Sequence, residues 1–379
     1  MKITFQKNKL IEAVGYALSS VSTKPTIPAV QGILFVTLGN DKCVLSSFDF
    51  EKGTRIIIDA EVHEGGNCII NAQRFAQIIK MMPESTVELT LNGDVASVES
   101  GKSMFEVWTM PATEFPSFPE LESEYTFTLK QKTLAKMVSQ THYAVSLNNP
   151  RVEFTGALFD IDSNKITVVG CDGYRLAVKR TICEMTNAYE GLKRRVIVPG
   201  KTLAELMRII GDNDKEVTVT LLNKHIIFEI KEKNLIFFSR IIDGEYLDFE
   251  RLIPKGFTTF VVADTDLLIS AFERASLVSE ENTSSGAKSY VKLLIKDGAI
   301  DISSISANGK VREEVFCEKE GNDIEIGFSC RYLLDCLKAC KCEKVRLSLS
   351  SSVISMKVEP VEETENEKLT MLVLPVKLR

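Results

Sequence analysis

Phe5-Gln-Lys-Asn-Lys-Leu10, Leu129-Lys-Gln-Lys-Thr-Leu134 and Val262-Ala-Asp-Thr-Asp-Leu267 are three versions of one stretch, set 124 and 133 residues apart. Each is a short extended segment followed by a polar break. An apolar series at helical spacing comes next, through Val14, Val138 and Ala271, and closes on Val21-Ser22, Val145-Ser146 and Val278-Ser279. One supersecondary unit used three times predicts three like domains, an arrangement that usually builds a surface or a ring.

A second helix recurs in each third. The quartets Phe75, Ile78, Ile79, Met82, then Leu203, Leu206, Met207, Ile210, then Leu333, Cys336, Leu337, Cys340 share the spacing 0, 3, 4, 7, one face of an α-helix. Between the helices lie β-branched runs such as Arg55-Ile-Ile-Ile-Asp-Ala60, Val87-Glu-Leu-Thr-Leu91 and Val217-Thr-Val-Thr-Leu221. Turn pairs separate them at Asn92-Gly93, Asp172-Gly173, Asp297-Gly298 and Asn308-Gly309. Each third reads β-α-βββ twice, so a domain is itself two half-repeats. Pro- and acid-rich stretches at Phe115–Glu124 and Asp243–Gly256 set the predicted domains at 1–123, 124–252 and 253–379. The acidic run Glu359–Lys368 reads as a solvated loop before the last strand.

Composition narrows the class. With 379 residues, 44% hydrophobic, the chain can bury three cores. No apolar run approaches the roughly 18 residues of a membrane span, and residues 1–22 are too polar for a signal peptide. Nine scattered cysteines without a secretion signal predict free thiols in a reducing cytoplasm.

The net charge of −6 argues against a polyanion partner, but its distribution argues for one. The six repeat helices carry twelve basic residues (Lys7, Lys9, Arg74, Lys80, Lys130, Lys132, Lys136, Lys201, Arg208, Arg274, Arg331, Lys338) against six acidic ones. Positive helices on an acidic body suit a polyanion held on one face and repelled elsewhere.

Enzyme signatures do not assemble. Gly200-Lys201-Thr202 follows a strand and opens a helix, but Arg195 stands where a P-loop needs glycine. Gly101-Lys102-Ser103 has Ala96 in that place and runs into a strand. His63, His142 and His225 are remote from any nucleophile motif. Cys330, Cys336, Cys340 and Cys342 lack the paired Cys-x-x-Cys spacing of a zinc site, and two of them lie on an apolar helix face. The expectation is a non-enzyme with no metal and no cofactor. Two segments exceed plain scaffolding: Asp172-Gly-Tyr-Arg-Leu-Ala-Val178, and the apolar ending Met371-Leu-Val-Leu-Pro-Val-Lys-Leu-Arg379, where Pro375 would end pairing and leave apolar groups for a partner.

At these residues the chain resembles the bacterial DNA sliding clamps, the beta subunit of DNA polymerase III. The likeness runs from Met1-Lys-Ile-Thr-Phe5 through Lys24-Pro-Thr-Ile-Pro28, Phe115-Pro116, Gly170-Cys-Asp-Gly-Tyr-Arg-Leu-Ala177, Val198-Pro199 and Glu325-Ile-Gly-Phe328 to Leu374-Pro375. The resemblance implies an α+β fold of three clamp-type domains, each with two helices packed on antiparallel sheets. It implies a head-to-tail homodimeric ring around double-stranded DNA, a DNA replication processivity factor without chemistry, and a cytoplasmic, nucleoid-associated protein. Partners would be the replicative polymerase, the clamp loader and repair proteins, held through short peptide motifs.

By that resemblance Lys24, Asn148, Arg151 and Lys201 fall where the family touches DNA. Its partner cleft maps to Phe154, Gly173, Tyr174, Arg175, Leu176, Leu247, Arg251, Leu252, Tyr332, Val353, Ser355, Leu372, Val373, Leu374, Pro375 and Val376. Leu247 stands where the family usually has proline, and Lys377 where Arg is common. A peptide-binding scaffold unrelated to DNA is the rival reading. Retention on closed circular but not linear DNA separates the two.

Overall fold

The computed structural model describes residues 1–22, 27–118, 125–186, 191–279, 290–306 and 309–378. Lys24, part of the Phe115–Glu124 boundary with the 123/124 cut, Asn308 and Arg379 lie outside the described residues.

Among the described residues there are six α-helices: α1 (Lys7–Ala17), α2 (Ala72–Met81), α3 (Gln131–Ser139), α4 (Gly200–Ile209), α5 (Thr265–Ser276) and α6 (Cys330–Cys340). They fall where the periodicity puts them, two to a repeat. The first helices end earlier than their Val-Ser closures, α1 and α3 passing into single 3-10 turns at Leu18–Ser20 and His142–Ala144. Side chains of Asn71 and Asp264 accept hydrogen bonds from the backbone N–H of Arg74 and Leu267, capping α2 and α5. The three quartets are buried except Met207, which is half-buried.

Strand pairing explains why the repeat comes in halves. In every repeat the strand leading into one helix pairs with the three-strand meander that follows the other helix, so the half-repeats interlock. The chain divides into two compact units.

The first unit is Met1–Lys132, Met185–Tyr189 and Ala204–Ile241, with a sheet of thirteen strands. Lys2–Gln6 joins the meander Thr86–Asn92, Val95–Ser100, Ser103–Met110; Asn67–Asn71 joins Gly32–Leu38, Lys42–Phe48, Lys52–Asp59. Tyr125–Lys130 joins Glu216–Leu221, His225–Ile230, Leu235–Arg240. A seam then unites two of these sets, with Leu235 opposite Ile56 and Ser239 opposite Lys52. Phe48, Phe118 and Phe238 close over it, with ring centroids 5.3–5.6 Å apart.

The second unit is Thr133–Glu184, Glu190–Leu203 and Ile242–Arg379, with sheets of nine and four strands. Lys193–Pro199 joins Gly156–Asp162, Lys165–Cys171, Arg175–Ile182, and Thr259–Asp264 joins Lys344–Leu349, Met356–Pro360, Glu367–Val373. An equivalent seam unites these, from Arg175 opposite Val373 to Thr181 opposite Glu367. Ile324–Phe328 joins Val291–Lys296, Ala299–Ser306 and Gly309–Phe316 as the four-stranded sheet.

The acidic run departs from its expectation as one solvated loop. Glu359 is buried in strand Met356–Pro360, accepting from the Thr370 hydroxyl, and Glu367 opens the final strand paired with Lys179 at 2.7 Å. Residues 362–366 and Lys368 are the exposed part of the run. A charged residue enters a sheet when a buried partner compensates it, as Lys179 does here. After Pro375 pairing also resumes once, through a bridge between Val376 and Gly327. A Cβ added at Gly327 would lie 2.6 Å from the end of the Leu378 side chain, which would have to shift, and 3.1 Å from the Val376 carbonyl.

Candidate functional site

The Asp172-Gly-Tyr-Arg turn is built by one side chain. Asp172 Oδ1 accepts from the backbone N–H of Tyr174 (2.8 Å) and Arg175 (3.0 Å), and Gly173 takes the left-handed φ of +91° that the turn requires. The strand then alternates. Tyr174 faces out, 52% exposed, while Arg175 faces in at 7%.

The Arg175 Nε donates to Asp172 Oδ2 at 3.0 Å and its Nη1 donates to Asp335 Oδ2 at 2.6 Å. Its guanidinium carbon lies 4.6 Å from the Tyr332 ring and 5.3 Å from the Tyr143 ring. Burial alone would lower the Arg175 pKa, but the two carboxylates outweigh it and hold the group above its ordinary value. Tyr332 in turn stacks on Tyr174, with centroids 6.1 Å apart and planes 28° apart.

The chain's end runs alongside. Leu374 N–H donates to the Tyr174 carbonyl at 2.9 Å, so the seam carries Tyr174 and Leu374 out together. Leu374 is 42% exposed, and Pro375 and Val376 are half-buried beside it. Beneath them Leu176 and Leu372 are buried in a cluster with Leu158, Tyr246 and Phe249, against which Leu247 packs half-buried. Val373 is buried in the neighbouring core.

The predicted cleft residues therefore sort into layers. Leu176, Leu372 and Val373 form a floor, Arg175 a brace, and Tyr174, Tyr332, Leu247, Leu374, Pro375 and Val376 an accessible surface. Leu252 and Val353 are exposed, Ser355 is half-buried, and Arg251 is paired with Asp248 at 2.8 Å. Phe154 is buried 6.3 Å from the Tyr246 ring.

Asn148 and Arg151 are exposed in the loop between 3-10 turns His142–Ala144 and Val152–Thr155. His142 Nε2 donates to the Gly200 carbonyl at 2.8 Å, tying this segment to the start of α4. An added Cβ at Gly200 would lie 2.8 Å from the Val145 side chain. Lys201, the next residue, is exposed. Among the described residues Arg151 and Lys201 have no carboxylate within 4.0 Å. Eight of the twelve basic helix residues do have one, with Lys9 on Asp59, Lys130 and Lys132 on Asp214, and Arg274 on Glu313 as examples. The helical excess of charge is thus partly answered by acids on neighbouring strands and loops. These surface pairs are weak and screened, and a phosphate backbone competes with them easily.

Among the described residues, two meander-final strands have no seam partner. Both seams join the last strand of a first-half meander to the last strand of a second-half meander. By that rule Gly309–Phe316 and Ser103–Met110 lack partners. Gly309–Phe316 is indeed the rim of the four-stranded sheet, and the far side of Ser103–Met110 is paired only at Thr109 and Met110 among the described residues. Trp108 and Met104 are 78% and 61% exposed on one edge, and Phe316 is 78% exposed on the other. A cavity of about 270 Å³ lined by Ile70, Asn71, Arg74, Val107 and Trp108 opens beside the first. Sequence reasoning missed these edges and the roles of Tyr143, Asp172 and Asp335. One signal was available: Met104-Phe-Glu-Val-Trp108 is apolar on both faces, which an ordinary surface strand is not.

All nine cysteines are free, and among the described residues no cluster of three His, Cys, Asp or Glu side chains is placed for a metal. Among the same residues no helix is long and apolar enough to cross a membrane.

Models of the N-terminal, central and C-terminal domains of the DNA polymerase III beta subunit match residues 1–119, 128–248 and 250–377. The chain is 32% identical to the beta sliding clamp of Bacillus subtilis (strain 168) and 29% to that of Escherichia coli (strain K12), over the full length of each pair. The crystal structure of the DNA polymerase sliding clamp from Bacillus subtilis superposes with a TM-score of 0.91 at 29% identity, covering both chains entirely.

Proposed function

The chain belongs to the DNA polymerase III beta subunit family, the bacterial sliding clamps, and from that premise we propose how its surfaces divide the work of a replication processivity factor that carries out no chemistry. The family acts on DNA in the cell interior and serves a polymerase. For this chain we read three clamp domains, 1–123, 124–252 and 253–379, that close with a second copy into a head-to-tail ring on double-stranded DNA in the nucleoid.

The two open edges carry this reading. Each internal seam joins one domain to the next by the same strand pair, and the unpaired edges are the two halves of a third such seam. Carried on the first and the third domain, the two halves would meet their complements on a second copy. Such heterologous contacts build rings when the rotation closes. Exposed strand edges with large apolar side chains are otherwise aggregation hazards that proteins cover. The decisive assay is retention on DNA: the loaded protein stays on closed circles and runs off linear duplex. Equal retention on both overturns the ring.

Lys24, Asn148, Arg151 and Lys201 are the proposed DNA contacts. They touch phosphate without base readout, which permits sliding. Lys24→Ala with Lys201→Ala is expected to lower DNA affinity at low salt by about tenfold and to make its salt dependence shallower, each lost phosphate contact weakening binding uniformly across sequences. Unchanged affinity in a fluorescence titration would remove these two from the contact set.

The surface of Tyr174, Leu247, Tyr332, Leu374, Pro375 and Val376, over its apolar floor, is the proposed site for extended partner peptides from polymerase, clamp loader and repair proteins. Its character is one large aromatic wall and an aliphatic ridge, which anchor one or two big side chains. Tyr174→Ala with Leu374→Ala is expected to weaken binding of a fluorescein-labelled pentapeptide carrying two large apolar side chains by at least about a hundredfold, while the dimer mass is kept. Loss of dimerisation instead would mean the cleft is misassigned.

A further inference from the structure

The wall of the cleft is held by more charge than its surface shows. Arg175 does not face a ligand, being 7% exposed with Nε and Nη1 engaged by Asp172 and Asp335. Its flat face is turned to Tyr332, whose ring stacks on Tyr174. Tyr332 and Asp335 are three residues apart on α6 and so share a helix face. Arg175 touches both. Tyr332 is half-buried, packed on one side against the core, with the guanidinium carbon 4.6 Å from its ring.

We propose that Asp335 is a positioning residue for the peptide cleft: by fixing the Arg175 guanidinium under Tyr332, it orients the Tyr332–Tyr174 stack on which a partner side chain rests. The inference rests on the cleft reading above. Asp172 contributes to the same brace, but it also shapes the turn through two backbone hydrogen bonds, so its removal would disturb the chain path. Asp335 is 34% exposed at its side chain and stands on a helix that supplies its own backbone bonds. Arg331, 4.0 Å from Asp335, is 72% exposed and leaves the Arg175 contact in place.

The test uses the full-length dimer and the same labelled pentapeptide. Asp335→Asn keeps the shape and removes the charge, and is expected to weaken peptide binding about tenfold. The coupling is the discriminating readout. In a Tyr332→Leu background, Asp335→Asn should cost nothing further, because its route to the peptide is already cut. An additive loss in the double variant overturns the proposal, as does unchanged affinity in the single one. Near-ultraviolet circular dichroism reads the tyrosine stack without peptide: Asp335→Asn should diminish it, and an unaltered spectrum also overturns the proposal. The cleft reading fails separately, if Tyr174→Ala with Leu374→Ala still binds; if that pair loses the peptide and Asp335→Asn does not, only the positioning role falls.

Discussion

Trp108→Glu is expected to give a particle of 42.2 kDa by light scattering, where the ring proposed above predicts twice that mass for the unaltered chain at micromolar concentration. Trp108 is the most exposed large side chain on the open edge Ser103–Met110. A carboxylate there must be buried against the facing strand without a partner, at a cost of several kcal/mol. Each 1.4 kcal/mol is about tenfold in dissociation constant, so the interface weakens about a thousandfold. Phe316→Glu on the opposite edge does the same.

The head-to-tail arrangement adds a sharper expectation. Every interface takes one edge of each kind, so a mixture of the two variants has one intact interface and one doubly damaged one. The mixed pair recovers the dimer mass but fails to stay on circular DNA, because it is an open arc. A self-complementary interface would give no such recovery. Dimer mass for either single variant would remove these edges from the contact.

Phe238→Ala is the second large effect, and it falls on stability. Phe238 is 1% exposed among Phe48 and Phe118 at the seam between Lys52–Asp59 and Leu235–Arg240. Removing a buried phenylalanine typically costs about 3–5 kcal/mol, through lost transfer energy and the cavity left behind. The residue opposite it is Gly53, where an added Cβ would come within 2.3 Å of the Phe238 ring. Gly53→Ala is therefore destabilising alone and costs much less once Phe238 is alanine, the Phe118 ring at 3.0 Å being the tight contact that remains. Urea unfolding measures both as shifts in midpoint. A drop under about 1 kcal/mol for Phe238→Ala would show that the seam does not depend on its rings.

The repeat and the helices were legible because their periodicity is local: Phe75, Ile78 and Ile79 declare a buried face within one turn. The seams were not, since a strand at 175–181 carries no mark that its partner lies at 367–373. Arg175 shows the same limit in the site. The resemblance placed it in the partner cleft without a direction, and the carboxylate that holds it inward lies 160 residues away on α6. Charge followed the same rule. The helical excess could be counted, whereas Asp59, Asp214 and Glu313, which answer much of it, sit on other elements. Glu359 read as loop because nothing nearby announces the Thr370 hydroxyl and the strand that bury it.

The last strand, Glu367–Val373, closes the edge of a strand that ended at Ile182. During translation about 190 residues must follow before that closure, some ten to forty seconds at about 5–20 residues per second. For that interval the ribosome holds a chain whose Arg175–Ile182 edge is bare, and for most of it Arg175 lacks Asp335 as well. Nascent copies on one messenger thus display the same unpaired strand to their neighbours, and truncation before Glu367 would make that exposure permanent. The time for which that edge needs shielding during synthesis follows from where this chain puts the seven residues of its last strand.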